Sequence, residues 1–136
     1  MKTKRLRHPA IAGIAGMMFA AGLASAAFAG VKDYEFRLVQ SEVKKGDGAV
    51  VTVKLVNKKS GKAVPDAVIF AKRIDMAPDG MASMTAPIEQ VPSAEPGVYR
   101  FKANLPMAGS WQLSLGAKVQ GETGSVENKL VLKATP

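Results

Sequence analysis

From residue 34 onward, apolar and polar side chains alternate with a period of two in short segments, which Gly, Pro, Asn and Asp clusters separate. This alternation is typical of half-buried β-strands, and no stretch shows the longer period of an amphipathic helix. The pattern predicts seven strands, at residues 34–38, 51–55, 67–73, 88–91, 99–103, 111–119 and 126–132. Seven short strands over about 100 residues are typical of an immunoglobulin-like β-sandwich, so we expect an all-β fold of two packed sheets.

The apolar face of each predicted strand indicates which side chains fill the core. Four residues on such faces are expected to be buried together between the sheets: Phe36, Val53, Tyr99 and Trp111. The strand at residues 67–73 is apolar on both faces, which is typical of a central strand, so we assign its Phe70 to the core as well. Residues 44–48 and 75–87 show no alternation and carry Gly or Pro, and they are predicted to form a turn and an irregular loop.

The first 29 residues differ from the rest of the chain in charge and composition. They hold four of the 19 basic residues and none of the 11 acidic ones, and an apolar, charge-free run follows at residues 10–29. A basic flank, an apolar run and a small-x-small site, here Ala27-Phe28-Ala29, form the pattern of a secretory signal peptide. We therefore expect a signal peptide at residues 1–29, a single domain at residues 30–136, and a periplasmic location.

Two alternatives concern this segment. Ala24 and Ala26 form a second small-x-small site, so cleavage could fall a few residues earlier. An uncleaved membrane anchor is the other alternative, because about 20 apolar residues can span a bilayer. Ala and Gly dominate the run and polar sequence follows it at once, which favours cleavage.

The composition of residues 30–136 excludes several kinds of chemistry. This part of the chain has no Cys and no His, which excludes thiolate or imidazole metal sites, Cys or His nucleophiles and a Ser-His-Asp triad. The remaining enzyme hypothesis would use Asp75 or Asp79 with Ser83, but no base of suitable pKa accompanies the serine. Asp75 and Asp79 are also too few for a calcium loop. We expect that the protein is not an enzyme.

The excess of positive charge does not indicate nucleic-acid binding. Residues 30–136 carry 15 basic and 11 acidic residues, a net charge of +4, and the lysines lie mainly in turns and on strand faces. A nucleic-acid surface would combine basic residues with exposed aromatic rings, and the aromatic residues here fall on predicted core faces. No nucleic-acid partner is expected.

The methionines are the unusual feature of the sequence. Met76, Met81 and Met84 lie within nine residues of the predicted loop, and Met107 lies in the turn at residues 105–109. Thioether sulfur is neutral and polarisable, which suits Cu(I) and Ag(I), and it tolerates an oxidising compartment in which Cys would form disulfides. The alternative is packing, since Met is a flexible gap-filler; this alternative applies most to Met76, which follows a strand directly.

Strand direction adds a topological expectation. If successive strands run up and down, the connections after the third and fifth predicted strands open at the same end of the sandwich. Met107 would then approach the other three methionines, either as a fourth ligand or as part of an apolar wall. The expectation depends on the strand predicted at residues 88–91.

Several segments resemble the FixH-like and YtkA-like family of small extracytoplasmic β-sandwich domains. They are Pro-Asp-Ala at residues 65–67, the methionine loop at 75–84, Pro-Gly-Val-Tyr-Arg-Phe at 96–101, Leu-Pro-Met-Ala-Gly-Ser-Trp at 105–111 and Leu-Ser-Leu at 113–115. The resemblance covers about residues 50–132, and it implies copper handling, oxidase assembly or heavy-metal efflux. It makes Met76, Met81 and Met84 the candidate metal-loop residues.

These observations lead to one expected function and one alternative. We expect a protein that binds or delivers Cu(I), or Ag(I) as its surrogate, as an accessory to heavy-metal efflux or cuproenzyme assembly. Its partners would be proteins of those systems, and it would reach the membrane only through a protein partner. The alternative is an interaction module in which the methionines are packed and a sheet face or edge strand docks on a transporter or an oxidase-assembly complex.

Overall fold

The computed structural model describes residues 31–136, so the signal peptide expected at residues 1–29 lies outside the described residues. Two short 3₁₀ helices are present, Val31–Asp33 and Ala77–Asp79. The strands are β1 Tyr34–Leu38, β2 Glu42–Lys44, β3 Gly46–Asn57, β4 Val68–Met76, β5 Met81–Ala86, β6 Ile88–Val91, β7 Val98–Leu105, β8 Gly109–Lys118 and β9 Val126–Thr135.

The strands form two sheets, one with the order β1-β3-β7-β6 and one with the order β2-β9-β8-β4-β5. Neighbouring strands are antiparallel except β2 and β9, which are parallel. The all-β, two-sheet immunoglobulin-like sandwich expected from the alternation is confirmed. The described residues form nine strands, however, so the prediction of seven was wrong in number.

The two additional strands lie in or next to segments that were predicted as a turn and a loop. β2 is three residues long and falls partly within the predicted turn at residues 44–48, and β5 falls within the predicted loop at residues 75–87. In β5 only Met84 and Ala86 are at least partly buried, and residues 82–84 bulge out of the pairing with β4. A bulge interrupts the period-two pattern, so the sequence of β5 does not show a regular strand.

The core lies between the two sheets and matches the predicted faces. Trp111 is completely buried, and Phe36, Val53 and Tyr99 are buried with it. The rings of Phe36 and Tyr99 meet edge to face, with centroids 6.3 Å apart. The Tyr99 hydroxyl donates to the Val64 carbonyl at 2.8 Å, which gives the buried ring a partner for its polar atom. The expected burial of these four residues is therefore confirmed.

The assignment of Phe70 to the core was wrong, because its side chain is 54% exposed. The pairing of β4 with β8 shifts between Ile69 and Ala71, so Phe70 lies in a β-bulge. A bulge inserts one residue into the alternation and redirects a side chain. Ala71 pairs with Gly116, and the residues on either side of Gly116 in β8 face the core. Ala71 and Gly116 therefore lie on the outer face of the sheet, and the bulge places Phe70 on that face as well.

Candidate metal centre

The four candidate methionines lie on two connections that border the start of β8. β4 and β8 are antiparallel, and Asp75 near the end of β4 is opposite Gln112 near the start of β8. The hairpin turn after β4 and the turn before β8, which contains Met107, therefore share one end of the sandwich. The expectation that both connections open at the same end is confirmed, and direct pairing of β4 with β8 is its cause.

A tight hairpin brings Met76 and Met81 opposite each other. The two residues are backbone partners at the end of the β4–β5 ladder, and directly opposed residues have Cβ atoms about 4.5–5.5 Å apart. The 3₁₀ helix Ala77–Asp79 closes the turn, with Pro78 near its start. Gly80 follows in the left-handed conformation with φ 77° and donates its N–H to the Ala77 carbonyl at 2.9 Å. Pro and Gly are the residues that such a reversal requires.

Met84 lies in an irregular part of the same ladder. The consecutive residues Asp75 and Met76 pair with Thr85 and Met81, so residues 82–84 bulge out of the pairing. The Met84 side chain is half-buried and packs against the core. The backbone of Met84 therefore stays beside the Met76–Met81 pair. Residues 75–87 do not form the irregular loop that was predicted.

Asp79 ties this hairpin to the start of β8. Its Oδ2 accepts a hydrogen bond from the Ser110 backbone N–H at 2.9 Å. Between the two elements lies Gly109, at φ 144°, a conformation that favours glycine. A Cβ at Gly109 would lie 2.6 Å from Met76 Cε and 2.7 Å from Asp79 Oδ2. The hairpin and the strand that follows Met107 are therefore in close contact.

The methionines differ in exposure, and this separates their possible roles. Met76 is 1% exposed and belongs to the core cluster, as the packing alternative expects of it. Met81 is 36% exposed and Met107 is 37% exposed. The Met107 carbonyl accepts the indole N–H of Trp111 at 3.2 Å, which fixes the turn on the buried ring. The structure thus offers two methionines to solvent beside one buried methionine.

Asp75 has a structural role that the sequence analysis missed. Its carboxylate is only 4% exposed, and it accepts hydrogen bonds from the Ala77 N–H at 2.8 Å and from Arg73 Nε at 2.9 Å. Burial raises the pKa of Asp75, but the Ala77 and Arg73 contacts lower it by more, so the pKa lies below its ordinary value. The sequence signal for this role is the position of the aspartate, two residues before Ala77 and three before Pro78, which is the spacing of an Asx turn.

Arg73 connects the Asp75 carboxylate to the bulge in β5. Its Nη2 donates to the Ala82 carbonyl at 2.9 Å, while its Nε is held by Asp75. One guanidinium therefore connects the end of β4 with the segment that precedes Met84.

Carboxylates and imidazoles do not form a metal site in this part of the chain. Between residues 31 and 136, no group of three or more His, Cys, Asp or Glu side chains is arranged to hold a metal ion. Over the same residues, no helix is long and apolar enough to cross a bilayer.

Comparison with known proteins gives a family and two solved structures. A YtkA-like family model matches residues 28–116. No curated protein matches the chain significantly. The Lin-41 filamin domain aligns with 76% of this chain and 92% of its own, with 16% identity and a TM-score of 0.44. A conjugative transposon lipoprotein from Bacteroides eggerthii aligns with 74% of this chain and 96% of its own, with 12% identity and a TM-score of 0.34.

Proposed function

This chain belongs to the YtkA-like family, and from that premise we propose that it is a periplasmic protein that binds or delivers Cu(I) or a related soft ion such as Ag(I). It acts as an accessory to heavy-metal efflux or cuproenzyme assembly and has no catalytic role. Its partners are proteins of those systems.

The observation that carries this proposal is the hydrogen bond from the Ser110 N–H to Asp79, which holds the methionine hairpin against the strand after Met107. This contact gathers the backbone of four methionines at one end of the sandwich. Neutral, polarisable sulfur prefers Cu(I) and Ag(I) over harder divalent ions. The Asp79 carboxylate adds negative charge at the same place, which favours a cation.

The exposure of the side chains assigns different parts to the four sulfurs. Met81 and Met107 are about one-third exposed and take the ion from solvent. Met84, which is half-buried, and the buried Met76 would complete the thioether set. Binding by neutral ligands depends little on pH near neutrality, since no proton has to leave before the metal binds.

The proposal is tested by titrating the exported protein with Cu(I) in competition with a chelator. The first variant is Met81→Leu with Met107→Leu, which removes the two exposed sulfurs and approximately preserves volume and apolarity. The second variant is Met76→Leu, which removes only the buried sulfur. We expect Cu(I) affinity to fall strongly in the double variant, and Zn(II) to bind the parent far more weakly than Cu(I).

Near-ultraviolet circular dichroism of Trp111 checks that each variant is folded, because this ring is completely buried beside the site. A folded double variant that holds Cu(I) as tightly as the parent would show that the sulfurs only pack. The metal proposal would then be abandoned.

A second candidate function is an interaction module that binds no metal. The burial of Met76 favours it, as does an exposed apolar surface on the opposite side of the five-stranded sheet from the core.

A further inference from the structure

Three large apolar side chains are exposed on the outer face of the five-stranded sheet. Val68 is 62% exposed, and Phe70 and Val131 are each 54% exposed. Val131 pairs with Gln112 and Val68 with Lys118, so both belong to the face that points away from the core. These are three of the six exposed large apolar residues in the part of the chain that the structure describes. Val68 and Val131 lie opposite β8 positions that are six residues apart, so the three side chains are spread along the sheet. Phe70 is the one of the three that lines a groove.

Local geometry forms a groove around Phe70. The bulge in β4 sends Phe70 outward, and Gly116 in β8 leaves space for the ring. A Cβ at Gly116 would lie 3.1 Å from Phe70 Cζ and 3.3 Å from the Ala71 Cβ. The result is an open groove of about 510 Å³, with Phe70 on one side and Lys129 of β9 among its lining residues. A groove of this shape admits one apolar side chain of a partner.

The charges around the groove are mostly positive. Lys129 lines it, and Lys118 lies opposite Val68 at one end. Glu127 is the acidic residue in the lining. Within residues 31–136, neither of these two lysines takes part in an ion pair, whereas Arg73, which also lines the groove, is paired with Asp75 at 2.9 Å. The surface therefore favours an acidic partner.

Three other modes of binding fit this surface less well. Addition of a strand to the free edge of β4 is opposed by the bulge at Phe70 and by the charged Lys72, both of which protect edges. A second copy of this chain would bring the same lysines together. A bilayer is flat and does not fill a groove.

We propose that this groove docks a partner protein through an acidic segment that carries one aromatic or branched aliphatic residue. The apolar side chain packs against Phe70 above Gly116. The flanking carboxylates lie near Lys118 and Lys129. This surface is independent of the methionines, so the inference does not rest on metal binding.

The test uses two synthetic peptides and no added copper. One peptide is Glu-Asp-Gly-Phe-Asp-Glu, and the other keeps Gly and Phe with Lys in place of every acid. Amide NMR shifts of the purified protein are followed during titration. We expect the acidic peptide to shift amides near residues 70–73, 114–116 and 127–129, with binding that weakens as salt increases. The lysine peptide should cause no such shifts.

Variants locate the binding surface. Phe70→Ser and Lys129→Glu should each weaken the acidic peptide about tenfold. Gly116→Ala should also weaken it, because the added methyl displaces the Phe70 ring. The matched controls are Val39→Ser, which is 55% exposed beyond β1, and Lys54→Glu on β3. These should change binding by no more than about twofold.

Three outcomes would overturn the proposal. The first is an absence of shifts in the groove with the acidic peptide, or equal binding by Phe70→Ser. The second is self-association of the parent in gel filtration that Phe70→Ser abolishes, which would make a second copy the occupant. The third is that the parent sediments with phosphatidylglycerol vesicles, that Phe70→Ser does not, and that the acidic peptide fails to bind. The occupant would then be a membrane.

Discussion

Gly109 lies where the methionine hairpin meets β8, and the substitution Gly109→Ala tests how closely the two elements are packed. The new Cβ would lie 2.6 Å from Met76 Cε and 2.7 Å from Asp79 Oδ2. Both distances are too short for non-bonded atoms, so at least one of these side chains must move. Met76 is 1% exposed and has little free space around it.

Two costs add in this variant. A non-glycine residue at an unfavourable positive φ costs about 1–3 kcal/mol, and overpacking a buried site costs about 1–3 kcal/mol. We therefore expect Gly109→Ala to lower the free energy of unfolding by about 2–6 kcal/mol, a large part of the 5–15 kcal/mol typical of a domain. Moving Asp79 would also weaken its hydrogen bond to Ser110 and release the methionine hairpin.

Urea unfolding followed by Trp111 fluorescence measures the loss, because this ring is completely buried. Gly46→Ala is the matched control, since Gly46 has a similar positive φ, 132°, but no atom within 4 Å of the added Cβ. The difference between the two variants isolates the contact. In the Asp79→Ala background, Gly109→Ala should cost less, because one of the two clashes is gone. Equal losses for Gly109→Ala and Gly46→Ala would refute the reasoning.

Three further predictions concern the core, the buried acid and export. Trp111→Ala should lower the free energy of unfolding by about 3–5 kcal/mol in urea unfolding; a loss below about 1 kcal/mol would contradict its central position in the core. The pKa of Asp75 is lower in the folded protein than its ordinary value of 3.8, so its stabilising effect is present above that pH and is lost as the pH falls through the folded pKa. The urea midpoint should therefore fall less between neutral and acid pH in Asp75→Asn than in the parent. An equal fall would count against the stabilising role of the Asp75 carboxylate. Mass spectrometry of the periplasmic fraction should find a protein that begins near Gly30, whereas an intact Met1 found only in membranes would indicate an anchor.

Most of the sandwich could be predicted from the sequence because the alternation of apolar and polar residues along a strand reflects which side chains are buried. Trp111 and Tyr99 lie on the inner faces of regular strands, and in such strands every second residue must face the core. The strand at Ile88–Val91 was predicted with the observed bounds. The grouping of four methionines near two connections was also visible in the sequence.

Other features depended on partners that are distant in sequence. β5 shows no regular alternation because residues 82–84 bulge out of its pairing with β4, and Phe70 changed face because β4 bulges where it pairs with β8. A prediction from periodicity assumes regular pairing of the strands, so it cannot detect an inserted residue.

Residue type and short-range spacing establish the all-β class, the core faces and the candidate donor atoms. The pairing of distant strands establishes which methionine is buried, that Asp79 holds Ser110, and that Asp75 accepts hydrogen bonds from Ala77 and Arg73 at the start of the hairpin. The burial of Met76 and the contact of Asp79 with Ser110 arise where β4 ends beside the start of β8, and that meeting is set by the pairing of strands separated by more than thirty residues. The chemistry of the site is local, and its geometry is a property of the whole sheet.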